Sequence, residues 1–391
     1  MEHHQPSAAR SYYDERYWND IPAVVEHINV QVSGKPDTEW DAHFFARLGR
    51  AAEHALILNC GNGAIERNLY DQGFIRSATG IDISTQLLDE AAAAAGDRPL
   101  RYHRMDVNTA DFPAEPFDLV VNFSAGHHIA CLDRVFRELC RRLPDDGWFV
   151  SYDYVGPHRN QYPHDLWFAA CRVNQGLPEA MRQTFVYPHL PTMIAVDPTE
   201  AIHSELVVDT WSRYFVTDEY RPVGGAIAYP VLTHNDDVIA DPARWTDEIA
   251  VVLAADAELI QGNPSAALFA YWAGTPNKAA LEQHEQLARW TDEEDARERT
   301  AGASGGEYYP RTALQELTAA LSDRGLEAEH ARAWAVDFND QVARMTDDWN
   351  ALRAERDGLQ EQLDDMRSSR SWRLTQPLRS MTDRIRRVRS G

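Results

Sequence analysis

Cysteine, positive charge and long apolar runs are all scarce in this chain. The four cysteines among 391 residues, Cys60, Cys131, Cys140 and Cys171, lack metal-ligand spacing and read as reduced thiols, so no disulfide framework organises the fold. No apolar stretch approaches the roughly eighteen residues a membrane span needs, and there is no signal-peptide pattern, so the expectation is a cytoplasmic protein. Lys and Arg number 38 against 61 Asp and Glu, a net charge of -23. That balance excludes nucleic acid as substrate, because a phosphate backbone needs a basic footprint. The length suffices for one large α/β domain plus an appendage.

What is present concentrates near residue 60. Leu56-Ile57-Leu58 reads as a strand buried on both faces, followed by a turn of Asn59, Cys60, Gly61, Asn62 and Gly63. Asp82 closes a second short apolar run nineteen residues after Gly63. This is the plan of a first βαβ unit that binds a nucleotide-like ligand: the turn lets backbone approach, and the acid accepts ribose hydroxyls. A dinucleotide site wants a third glycine under its pyrophosphate, and here that place holds Glu66. A carboxylate there repels pyrophosphate but suits a cationic ligand.

On these residues the chain resembles the class I S-adenosylmethionine-dependent methyltransferases, of the type 11 kind. Their motif usually reads as an acid followed by x-G-x-G-x-G. Here Ile57 stands in the acid's place and Asn59 in the first glycine's, and Asn tolerates a left-handed backbone. With the usual amine anchor missing, Glu66 is the substitute. The resemblance implies a doubly wound, mostly parallel α/β sheet of Rossmann-like type and S-adenosylmethionine as cofactor. Arg101 to Val107 then reads as a strand whose Asp106 contacts the adenine amino group, with Val107 against the ring. Phe117 to Ser124 is a strand ending in polar residues at the ligand edge. Asn59, Gly61, Asn62, Gly63, Glu66, Asp82, Ile83, Asp106, Val107 and Asn122 make up the expected cofactor side. Leu132 to Leu143 has helical spacing, and Pro144 to Gly147 turns into a fifth strand at Trp148 to Tyr152.

The rest of residues 1–276 fits the same domain. Tyr12 to Trp18 resembles the aromatic leader that folds over the cofactor in such enzymes, and about 155–205 reads as a substrate lid. Phe215 to Tyr220, Gly224 to Leu232 and Ala266 to Ala273 read as returning strands, so the domain closes near Thr275. Residues 277–341 look like a helical connector, and 342–366 carry heptad-like apolar steps that suggest a short coiled coil, hence a homo-oligomer or a partner helix. The tail, 367–391, has eight arginines against one acid and an apolar stripe, the pattern of peripheral contact with an anionic inner membrane face. Its string Ser371 to Arg379 resembles tails of bacterial glycan-biosynthesis enzymes.

Methyl transfer from a sulfonium is an in-line displacement, in which positioning dominates and a base serves only an acceptor that loses a proton. His127 and His128 are the candidates for that base, with Asp153 as orienter; Tyr154 and His158 stand nearby. No metal site is expected; Asp145-Asp146 reads as a solvated turn. The function expected is O-methylation of a sugar or glycan intermediate in cell-surface polysaccharide biosynthesis. A methyltransferase of small metabolites or lipid quinones and a catalytically silent scaffold are the alternatives.

Overall fold

The apolar runs assemble as their patterns require. A computed structural model describes residues 17–108 and 112–301. Its sheet consists of β1 (Ala55–Leu58), β2 (Ala78–Asp82), β3 (Leu100–Arg104), β4 (Leu119–Phe123), β5 (Trp148–Tyr154), β6 (Phe215–Gly224) and β7 (Phe269–Pro276). These lie in the order β3-β2-β1-β4-β5-β7-β6. The first five are parallel, and β7 runs antiparallel between β5 and β6. The fold is therefore the Rossmann-like, mostly parallel sheet that was expected. Strand order reverses between β1 and β4, the switch point at whose carboxyl edge open α/β sheets bind ligands.

Burial on both faces explains the unbroken apolar strands. Leu56, Leu58, Val120, Phe149 and Trp272 join one apolar layer; Ile57, Val121, Val150 and Tyr271 join the other. The Ile57 face is covered by α1 (Pro22–Ser33), α2 (Trp40–Leu48), α3 (Ala64–Asp71) and α4 (Thr85–Ala95). The Leu56 face is covered by α5 (Leu132–Arg142). The segment expected to be a lid carries α6 (His164–Gly176) and α7 (Leu190–Val196) before α8 (Val207–Trp211) leads into β6. Trp18 is buried and stacks on Phe269, so this part of the leader is core. Tyr12 to Arg16 lie outside the described residues.

Three expectations change. Gly224 to Leu232 is not a strand: β6 ends at Gly224 and α9 (Ala228–Leu232) follows. The cause is Asp256, fully buried on α11 (Thr246–Gly262), beyond α10 (Asp236–Ala240). Its carboxylate accepts the N–H groups of Gly225 at 2.8 Å, Ile227 at 2.7 Å and Ala228 at 3.1 Å. These donors would be orphaned at a helix start without it. Gly224 is required there, at φ 113° with a Cβ position only 2.3 Å from Asp256 Oδ2. Second, the last strand starts at Phe269 rather than Ala266. Third, the sheet closes at Pro276 but the body continues into α12 (Lys278–Ala301), the start of the expected connector. Lys278 Nζ donates to the carbonyls of Cys140 at 2.6 Å and Leu143 at 2.5 Å, satisfying the open end of α5. The rest of the connector, the coiled coil and the basic tail lie outside the described residues. Among the described residues no helix is long and apolar enough to cross a membrane.

Replacing Asp256 by Ala strands three buried N–H groups, so the variant should lose about 2–5 kcal/mol of unfolding free energy. Denaturant titration by circular dichroism measures this. A loss below about 1 kcal/mol would show that another group takes over the cap.

Candidate active site

The turn after β1 is held shut by the acid after β2. Gly61 N–H donates to Asp82 Oδ2 at 2.9 Å and Ser84 N–H to Oδ1 at 2.8 Å. Each carboxylate oxygen can accept more than one hydrogen bond, so Asp82 keeps acceptor capacity for a diol. Asn59 takes φ 44°, the left-handed geometry for which Asn can replace the motif's glycine. Its Nδ2 donates to Ala125 O at 3.0 Å, bridging the switch point between β1 and β4. Asn62 Oδ1 accepts Ala64 N–H at 3.2 Å at the start of α3. Ile83 is 55% exposed beside Asp82, an apolar face with room for a ring. Asp106 Oδ1 accepts Asn108 N–H at 2.9 Å, while Val107 is buried in the apolar layer. A ribose-bearing cationic cofactor fits this edge; S-adenosylmethionine has both features.

Glu66 occupies an unexpected place. It is fully buried under the turn, where a Cβ on Gly80 would stand 3.0 Å from its Oε1. Its two oxygens, and the Tyr102 hydroxyl beside them, are sealed from solvent and meet no hydrogen-bond geometry. Burial pushes the carboxyl up to about 7, and the Asp82 carboxylate adds to the rise. Its own backbone N–H, the Tyr102 hydroxyl and Arg67 oppose it. Glu66 thus packs against Gly80 with both oxygens buried and unpartnered.

The second half of the site is built on β4 and β5. Asp153, on β5 and fully buried, accepts four hydrogen bonds. Asn122 Nδ2 at 2.7 Å and Gly126 N–H at 2.6 Å meet Oδ2; His127 Nδ1 at 2.6 Å and Tyr154 N–H at 2.8 Å meet Oδ1. Gly126 sits so close that a Cβ would fall 2.6 Å from Oδ2. Asn122 Nδ2 donates to Asp153 and to Ser151 Oγ, each at 2.7 Å, while its buried Oδ1 meets no partner among the described residues.

His127 and His128 share one 3-10 turn, with ring centroids 4.1 Å apart. Both point Nε2 at a residue with no motif in the sequence, Glu200: its Oε2 lies 3.6 Å from His127 Nε2 and 3.7 Å from His128 Nε2. Glu200 arrives from the lid. Ile202 N–H donates to His127 O at 3.1 Å, Arg159 N–H to Ala201 O at 2.7 Å, and Arg159 Nη1 to Glu200 O at 3.1 Å. These three side chains offer ligand atoms within 4.8 Å of one another, a metal-competent grouping among the described residues that spacing along the chain did not announce. Asp145-Asp146 remains a turn. His158 is turned away, its Nδ1 against Ile202 O, and the Tyr154 hydroxyl donates to Pro157 O at 3.2 Å.

The charges separate the two histidines. Burial disfavours the His127 cation, but the Asp153 and Glu200 carboxylates on either side outweigh it and raise the group to about 10. Burial would raise Glu200, yet His127, His128 and Arg159 bring it down to about 2. His128 is lowered, by burial first and then by the His127 cation. The two carboxylates thus favour the cation on His127, while burial and that neighbour favour the neutral form of His128.

The raised Glu66 carboxyl gives a pH signature. A folded-state value above the unfolded one of about 4.5 means its contribution is fully present below about pH 4.5. It is lost as pH rises through about 7. Glu66→Gln should flatten stability across that window and leave the cofactor-free protein about 2–3 kcal/mol more stable than wild type at pH 8. Thermal melts from pH 4 to 8 follow the difference. Parallel pH profiles would mean that Glu66 stays charged in the fold.

Residues 56–151 match the family model described as a methyltransferase domain. The chain is 28% identical over 109 residues to an uncharacterized methyltransferase, YcgJ, of Bacillus subtilis, covering 27% of this chain and 43% of that protein. It is 31% identical over 124 residues to EEF1A lysine methyltransferase 4 of Mus musculus, covering 27% and 48%. It is 25% identical over 142 residues to the mitochondrial ubiquinone biosynthesis O-methyltransferase of Candida albicans, covering 34% and 43%. The chain spans less than half the length of each of these relatives. Together with the strand order, the turn after β1 and the Asp82 carboxylate, this makes residues 56–151 a methyltransferase domain of the class I, S-adenosylmethionine-dependent kind.

Proposed function

We propose that the protein transfers a methyl group from S-adenosylmethionine to a hydroxyl of a sugar or glycan intermediate. The observation that carries the O-methylation is the His127–His128–Glu200 cluster, braced by Asp153 at the carboxyl edge beside the cofactor turn. When bound, the cofactor supplies an electrophilic methyl on a sulfonium. Asp82 would hold its ribose, Ile83 would cover its ring, and the turn from Asn59 to Gly63 would follow its backbone side. The chain's remaining work is to seat the acceptor and move one proton. Asp153 fixes the His127 ring, the His127 cation and Glu200 orient the acceptor hydroxyl, and His128 takes its proton. The net charge of -23 favours a neutral acceptor over a polyanion.

A hydrophobic acceptor such as a quinone has one observation in its favour: Phe168 and Val186 of the lid are 56% and 69% exposed. Purified protein with methyl-labelled cofactor, offered nucleotide sugars, glycan fragments, a quinone head group and a lysine peptide, separates these readings. Label on the sugar hydroxyl is the expected outcome. Label on the quinone or the peptide alone would replace the sugar reading.

Two substitutions divide the site. Asp82→Ala removes a charge-assisted pair to the ribose and should weaken cofactor binding by about 2–3 kcal/mol in calorimetry. Unchanged affinity would remove Asp82 from the cofactor site. His128→Ala should lower turnover about a hundredfold or more with cofactor affinity nearly intact. Full turnover would leave methyl transfer to positioning alone.

A further inference from the structure

We propose that His127, His128 and Glu200 bind one divalent transition-metal cation of the zinc class, leaving a fourth position open to solvent. Zinc bonds of about 2.0–2.1 Å in a tetrahedron set neighbouring ligand atoms roughly 3.3–3.5 Å apart. The two separations from Glu200 Oε2 are 3.6 Å and 3.7 Å and all three ligand atoms lie within 4.8 Å of one another, so a small inward movement of the side chains closes the shell. Two imidazole nitrogens and one carboxylate oxygen form the donor set of open zinc sites, whereas magnesium and calcium prefer oxygen alone.

The surroundings are arranged as such a site needs. A metal-binding imidazole is held by an oxygen partner on its other nitrogen, which fixes the ring and leaves the ligating nitrogen free. Both rings have one: Asp153 Oδ1 lies 2.6 Å from His127 Nδ1, and Thr199 Oγ1 lies 3.2 Å from His128 Nδ1. The third ligand is tied down through its backbone, since Arg159 holds the Glu200 and Ala201 carbonyls and Ile202 pairs with His127. A proton between His127 and Glu200 would account for His127 alone. It gives no reason for a second imidazole nitrogen to converge on the same oxygen. The side chains of His128 and Glu200 are 29% and 32% exposed, so the cluster has a path for a cation to enter.

This inference stands apart from methyl transfer. If both hold, His127 would release its Nε2 proton on binding the metal, a hydroxyl in the fourth position would lose its proton more readily, as metal-bound water does, and His128 would act as ligand instead of proton acceptor. The test is equilibrium dialysis of the full chain against zinc, with retained metal measured by elemental mass spectrometry. Dialysis against cobalt, read by visible absorption, runs in parallel. One zinc per chain is expected, together with intense four-coordinate cobalt bands. His128→Ala and Glu200→Gln should each weaken retention at least a hundredfold, and Thr199→Ala should weaken it about tenfold. Asp82→Ala should bind zinc as wild type does while losing S-adenosylmethionine, which separates this site from the cofactor reading. Absence of retained zinc in the wild-type chain, or equal retention in folded His128→Ala and Glu200→Gln, would overturn the assignment. Should either variant fail to fold, six-coordinate cobalt absorption in the wild-type chain would do the same.

Discussion

A fully buried carboxylate without its hydrogen bonds would cost several kcal/mol, and Asp153 is stable only because four donors converge on it. That requirement organises the acceptor side. It takes a hydrogen bond from Asn122, demands glycine at 126, and fixes the His127 ring so that Nε2 faces Glu200. The turn carrying His127 then pairs with Ile202, which brings Glu200 over both histidines. Loss of the Asp153 carboxylate would release this whole chain of contacts, from Asn122 to Glu200.

The cofactor side depends on a different carboxylate used in a similar way. Asp82 closes the β1 turn by accepting one N–H on each oxygen. Asn59 crosses the switch point to Ala125, next to the turn that presents the histidines. The two halves of the site are thus coupled by a single side-chain amide. Glu66 lies beside the β1 turn, fully buried, with its carboxyl pushed up to about 7.

How much of this could be read from the sequence depended on the distance between interacting residues. The strand ahead of the turn, the left-handed Asn59 and Asp82 at the strand end are local patterns, and each lies where the pattern put it. His127 and His128 follow the fourth strand and Asp153 lies at the end of the fifth, so one sheet edge brings base candidates and orienter together. Glu200 carries no motif: its place is set by Arg159, Ala201 and Ile202 in contacts that no periodicity records. The same limit explains the misread strand at Gly224 to Leu232. A short apolar run fits a strand or a buried helix, and the choice was made by Asp256 on another helix.

This division bears on what similarity can transfer. The matched family model spans 56–151 and ends two residues before Asp153. It therefore covers the turn, Asp82 and the histidine pair, but neither the carboxylate that orients His127 nor Glu200 above it. The relatives are named for different reactions, a lysine methyltransferase and a ubiquinone biosynthesis O-methyltransferase, so the matched part by itself fixes no acceptor. In this chain the segment after β5 supplies a carboxylate aimed at two imidazoles, and that carboxylate lies outside the matched residues.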